Sequence, residues 1–310
     1  MQLRKATYNV IAAAIMALAL PAQTTAACER LWVVDHELWS AEGDQTRLLV
    51  ADVHGVLYPR WSPTGDRVAY ARDFRFDNGP QSEIVVVSAS GQSIASLAIP
   101  ADSAVNAIVQ VGWRDDRHVY AEGHVNPSTT KYFEWDVATG RLLEEKAGSW
   151  FAVSPDGRSV AQRAHVPHGA PPPFDSASLL VNDQIAYPAE GDTTYHHFVG
   201  GVSWSPDSSR LALLDKQNDA TSLVIVAPGK GATQRIPVAT SSAPAALTWS
   251  GQNTVVIRSG NDEWRVDSVS GKTEKSSEHA ISTQSAAPPA TLRERARGVS
   301  PRAEDSRCNE

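Results

Sequence analysis

Gly201-Val-Ser-Trp-Ser-Pro-Asp-Ser-Ser-Arg-Leu-Ala-Leu-Leu214 reads as strand, turn, strand. Val202 and Trp204 alternate with Ser203 as a half-buried strand requires, Ser205-Pro-Asp-Ser208 supplies turn residues with Pro206 presetting φ, and Leu211-Ala-Leu-Leu214 is the returning strand. Two other stretches match it closely, Tyr58-Pro-Arg-Trp-Ser-Pro-Thr-Gly-Asp-Arg-Val-Ala-Tyr70 and Trp150-Phe-Ala-Val-Ser-Pro-Asp-Gly-Arg-Ser-Val-Ala161. Val111-Gly-Trp-Arg-Asp-Asp-Arg-His-Val-Tyr120 and Leu247-Thr-Trp-Ser-Gly-Gln-Asn-Thr-Val-Val256 are weaker copies.

Aligned at the tryptophan, the copies fall at residues 61, 113, 153, 204 and 249, hence spacings of 52, 40, 51 and 45, near the ~40–50 residues of a propeller blade. Each copy is followed by a second hairpin: residues 83–87 with 93–99, 131–137 with 141–146, 178–181 with 184–187, 222–226 with 233–238, and 263–266 with 273–276. Two hairpins make one four-stranded antiparallel blade. Before the first copy, residues 30–34, 37–40 and 46–50 read as strands b, c and d without a strand a. A ring closes when one blade takes strands from both termini, which removes an exposed edge. The missing strand is expected from His279-Ala-Ile-Ser-Thr283. The expected fold is therefore all-β, a six-bladed propeller of four-stranded antiparallel blades over residues 28–281, with five blades and an N-terminal cap as the rival count.

Arg4 and Lys5 precede an apolar run over residues 10–20, which ends in the small residues Thr24-Thr-Ala-Ala27. That run is about half the ~20 residues of a membrane-crossing helix, and residues 1–27 are expected to be a cleaved signal peptide. The mature protein is expected in the periplasm. The chain holds two cysteines, Cys28 and Cys308, so an oxidising compartment permits one disulfide joining the termini. Cys28 would also suit a lipoprotein, although Thr25 stands where a lipobox carries Leu or Val. Residues 282–310 lose the strand pattern and are expected to be a disordered tail, with a short helix over 292–297 as an option. A formal net charge of −7 argues against nucleic acid recognised through its phosphates.

The Trp-Ser-Pro-[Asp/Thr]-[Gly/Ser] repeat, followed by an Arg-containing strand ending in Ala, resembles TolB and related WD40-like (PD40) propeller repeats from about Leu31 to Ser277. The resemblance implies a periplasmic propeller of binding type. TolB proper carries an α/β domain ahead of its propeller. Here the first strand begins within a few residues of Cys28, so roles that depend on that domain are not carried over. The same repeats occur in prolyl oligopeptidase-like peptidases, but no Gly-x-Ser-x-Gly elbow is present and too few residues follow the last repeat for a hydrolase domain.

In such a ring the b–c and d–a connections share one face, and the b–c loops here are long and varied. Asp73, His124, His165, His168, Tyr195, His196 and His197 fall on or beside those connections and form the candidate binding surface. No histidine spacing matches a metal-ligand motif, and Asp73, Asp77 and Asn78 fail the spacing of a calcium loop. Pro171-Pro-Pro-Phe174 reads as a stiff loop segment. No metal, cofactor or catalytic residue is expected. Of the nine tryptophans, Trp61, Trp113, Trp204 and Trp249 are expected between blades, while Trp135 and Trp264 could face either way and offer an aromatic platform. The expected function is a monomeric, non-catalytic scaffold for a periplasmic or envelope protein. The competing expectation is a metal-dependent polysaccharide lyase or hydrolase working in the funnel, as in oligogalacturonate lyases.

Overall fold

The computed structural model describes residues 28–73, 82–126, 129–164, 176–218, 220–230, 233–239, 246–260, 262–276, 288–295 and 302–308. It is built almost wholly from antiparallel meanders. The first comprises β1 (Cys28–Val34), β2 (Glu37–Glu42) and β3 (Gln45–Ala51), and the second β4 (Leu57–Trp61), β5 (Arg67–Asp73), β6 (Ser82–Ser88) and β7 (Ser93–Ala98). The third comprises β8 (Val105–Trp113), β9 (His118–Val125), β10 (Thr129–Asp136) and β11 (Arg141–Val153). β11 does not end there. Residues 141–148 pair with β10, and from Ser149 the same strand pairs with β12 (Val160–Arg163), which continues into β13 (Leu179–Val181) and β14 (Gln184–Tyr187). The third and fourth meanders therefore share one 13-residue strand.

Two further meanders follow, β15 (His197–Trp204) to β16 (Leu211–Gln217), β17 (Ala220–Val226) and β18 (Thr233–Pro237), then β19 (Ala246–Ser250) to β20 (Thr254–Ser259), β21 (Asp262–Asp267) and β22 (Thr273–Ser276). A short helix α1 (Ala290–Arg295) and a last strand β23 (Arg302–Cys308) complete the chain.

β23 pairs antiparallel with β1 and gives the first sheet the order β23-β1-β2-β3, with Cys28 and Cys308 directly opposite one another. Within the tail lie α1 (Ala290–Arg295) and β23 (Arg302–Cys308), and the strand completing the first sheet is Arg302–Cys308 rather than the expected segment 279–283. Residues 279–283 lie outside the described residues. The reason is backbone chemistry: the open edge of β1 needs N–H and C=O partners whatever side chains the partner carries, so Arg302-Ala-Glu-Asp-Ser-Arg-Cys308 serves without any apolar alternation.

Apolar clusters fill the junctions between successive sheets. Leu31, Leu38, Trp61, Val68 and Tyr70 join the first and second, and Ala69, Ile84, Val111, Val119, Phe133 and Trp135 join the second and third. Tyr120, Tyr132, Phe151 and Val160 join the third and fourth. Leu179, Phe198, Leu211 and Leu213 join the fourth and fifth, while Leu214, Leu223, Val255, Ile257 and Trp264 join the fifth and sixth. Trp135 and Trp264 are buried in these clusters, 2% and 3% exposed, so neither forms an aromatic platform. The remaining face of the first sheet is covered differently. Trp32, Val34 and Ala41 pack there against Leu292 of α1, whereas the outer face of the last meander carries the exposed ion pairs of Glu263 with Arg258 and Arg265.

The repeat positions are tied in series. Trp113 donates its indole N–H to the Arg60 carbonyl (3.1 Å), Trp204 to that of Ala152 (2.9 Å) and Trp249 to that of Ser203 (3.0 Å), each acceptor standing one residue before the repeat position of the preceding copy. Val153 cannot donate. At that junction Arg114, in the copy that lacks Ser-Pro-Asp-Gly, reaches the Gly157 carbonyl through Nε at 2.7 Å and Glu134 through Nη1 at 3.0 Å. The neighbouring turns are tied as well: Thr64 Oγ1 donates to Asp116 (2.7 Å), and the Asp156 N–H donates to Ser208 Oγ (3.0 Å).

Candidate functional site: a cleft between inner strands

β8, the second half of β11, and β15 each form the first strand of their meander, and a cleft of about 620 Å³ opens between them. Its walls are Val109 and Gln110 of β8, Trp150 to Val153 of β11 and Gly201 to Trp204 of β15, and Tyr120, Glu122 and Thr130 line its depth. Two local irregularities shape it. The β11 ladder is bulged between Ser149 and Ala152, with Trp150 at φ +56°, and the β15 ladder is bulged between Val199 and Ser203 around Gly200 and Gly201. Such bulges re-aim side chains and leave local backbone outside the ladder. A Cβ at Gly201 would meet nothing within 4 Å, so open space stands over that residue. At Gly112 a Cβ would strike the Tyr120 ring at 2.4 Å, and the absence of a side chain there admits the ring that closes the back of the cleft.

Glu122 is 5% exposed and accepts from the Thr130 hydroxyl at 2.6 Å. Burial pushes its carboxyl above the usual range, and the Thr130 hydroxyl and the backbone N–H groups of Trp150 and Phe151 partly oppose this. The carboxylate thus holds the β11 bulge in place. Tyr120 accepts from Gln110 Nε2 at 3.3 Å and stacks on Tyr132 at 5.4 Å. Behind Trp150 lies Arg163, the last residue of β12, with its guanidinium 5.0 Å from the centre of the indole ring.

The structure distributes the sequence-predicted residues unequally. His196 is withdrawn from the surface: it is 2% exposed, bonded through Nδ1 to Asp215 at 2.6 Å and through Nε2 to Asp192 at 3.3 Å. Tyr187 donates to the same Asp215 oxygen at 2.7 Å, and Arg235 reaches it at 3.0 Å. The network fixes the junction of the fourth and fifth sheets. Pairings of the same kind stand at two other junctions, where Tyr70 and Arg72 meet Asp52, and Tyr132 and Arg114 meet Glu134.

Tyr195 is 40% exposed, His197 is exposed at the start of β15, and half-buried His124 contacts Asn106 through Nδ1 at 3.0 Å. Asp73 closes β5. His165 and His168 lie outside the described residues. Among the described residues no group of three or more His, Cys, Asp or Glu is placed to hold a metal ion. Sequence reading missed Gln110, Glu122, Trp150, Arg163 and Gly201. The available signals were a glutamate inside the apolar run Val119-Tyr-Ala-Glu122 and the doubled glycine at 200–201.

No family model matches the chain, and no curated protein matches it. Solved structures do. The β-propeller domain of the Trilobed protease from Pyrococcus furiosus, described as having an open velcro topology, superposes with a TM-score of 0.51 at 14% identity over 77% of this chain and 73% of that one. The protein has a β-propeller fold. An oligogalacturonate lyase from Vibrio parahaemolyticus gives a TM-score of 0.53 at 12% identity over 83% and 80%. TolB from Acinetobacter baumannii gives 0.42 at 15% identity over 80% of this chain, which spans 63% of the TolB chain. At these identities the likeness concerns the fold of the propeller alone. Among the described residues no helix is long and apolar enough to cross a membrane.

Proposed function

We propose that this propeller is an exported, non-catalytic binding scaffold of the cell envelope, TolB-like in its repeats, that takes a segment of a protein partner into the cleft between β8, β11 and β15. The cleft is the observation that carries this reading. It is concave, lined by three inner strands with two ladder bulges, and combines aromatic and aliphatic walls with a few polar groups, which is the usual character of a ligand site. In this reading the ring has six blades, β11 serving as the last strand of one and the first of the next. Residues 1–27 direct export to the periplasm, and Tyr195 and His197 lie on the loop face from which the partner approaches.

A photo-crosslinker at position 202, inside the cleft, tests it against one at Val53, which is 83% exposed and remote from the cleft. A discrete envelope protein should be captured from position 202 and not from position 53, and the capture should be lost in Gly201→Trp, which fills the open space. Equal capture from both positions would overturn the reading. So would stoichiometric Zn²⁺ or Mn²⁺ in the purified protein together with cleavage of polygalacturonate.

A further inference from the structure

Several arginines at the sheet junctions of this propeller are paired with carboxylates. Arg72 pairs with Asp52 at 2.7 Å and with Glu83, Arg114 with Glu134 at 3.0 Å, and Arg235 with Asp215 at 3.0 Å. Arg163 is half-buried and has no carboxylate or hydrogen-bond acceptor among the described residues. Burial lowers its guanidinium from the ordinary value, and the Tyr195 phenol opposes this only in part. Desolvating a cation without a partner costs free energy, and a fork of five N–H donors matches carboxylate geometry. The guanidinium carbon stands 5.0 Å from the centre of the Trp150 ring, an attraction that consumes none of its N–H donors.

The position of this cation gives it a use. Trp150 presents one surface to Arg163 and also lines the cleft, so a group bound at Arg163 lies at the cleft's edge. The polar groups within the cleft do not compete for the guanidinium, since Glu122 is bonded to Thr130. We infer that Arg163, stacked on Trp150, is the anchor for a carboxylate of an acidic peptide segment whose chain continues into the cleft. This rests on the binding reading above and adds the chemistry of the segment.

The test is a titration of the uniformly ¹⁵N-labelled mature protein with tetraglutamate, monitoring the Arg163 Nε–H and Trp150 indole N–H resonances. Tetraglutamine, trigalacturonate and inorganic phosphate serve as parallel arms. Tetraglutamate should shift both resonances saturably, Arg163→Gln should weaken its binding at least tenfold, and Arg163→Lys should weaken it less. Binding should also fall with rising salt. Shifts equal with tetraglutamine, affinity unchanged in Arg163→Gln, or preference for trigalacturonate or phosphate would each overturn the acidic-peptide assignment. Thermal melts of both variants show that loss of binding is not loss of fold. Capture through position 202 that survives Arg163→Gln would sink this inference and leave the scaffold reading intact.

Discussion

Trp204, 8% exposed, donates its indole N–H to the Ala152 carbonyl across a sheet junction. In Trp204→Phe the ring volume is largely kept but the acceptor loses its partner, so a loss of about 2 kcal/mol is expected in urea unfolding. Tryptophan replacing Val153 is the informative converse, since the register of the series directs its indole toward the third meander. The turns carry a pH signature. Asp207 is held down to about 2 by the Ser205 hydroxyl first, then by the Ser209 N–H and hydroxyl, against 3.8 in the absence of these partners. A carboxyl lowered by folding stabilises the fold above its unfolded value, and that stability is lost as pH falls from about 4 through about 2. Wild type and Asp207→Asn should therefore differ by a constant amount above pH 5, with the gap closing below pH 4. A gap independent of pH down to 2 would refute the assignment.

At the scale of elements, the closing strand is where the two ends of the chain meet. The register of β23 on β1 sets Cys28 opposite Cys308, and the export proposed above would supply an oxidant, so the two are expected to bridge. The chain-entropy model gives such a long loop up to about 5 kcal/mol. Thiol titration of the denatured, unreduced protein should find no reactive thiol, and two would mean no bridge. Strands with alternating apolar residues and turns with Pro, Asp and Gly were legible in the sequence, because local side-chain chemistry specifies both. β23 was not, since charged residues fill it and only the demand of an open edge places it. Nor was the continuity of β11, where Ala147-Gly-Ser149 stands between two expected strands and becomes ladder because two partner strands meet end to end. The cleft was half legible: Trp150 stood in the repeat, but the bulges that turn it inward are a property of pairing.

Across the whole molecule, the junctions are of two kinds. Among the described residues five are sheet against sheet, whereas the outer face of the first sheet is covered by α1, a helix of six residues. Leu292 is fully buried there against Trp32, Val34 and Ala41. Leu292→Ala should cost about 3 kcal/mol by cavity and transfer terms. The loss should fall on local opening of β1 to β3, seen as faster amide exchange there with the other sheets unchanged. Uniform acceleration across all sheets would show instead that the closure is not a separate cooperative unit.

The shared strand β11 has a mechanical consequence. Where other meanders are joined by a loop, which absorbs rotation by changing a few dihedrals, these two are joined by a ladder that carries hydrogen bonds on both sides of Ser149. Twisting one against the other means breaking that ladder. The third and fourth meanders therefore behave as one stiff plate, and the cleft, with one wall carried by that plate and the other by β15, changes width only at the plate's far edge, where β15 meets it.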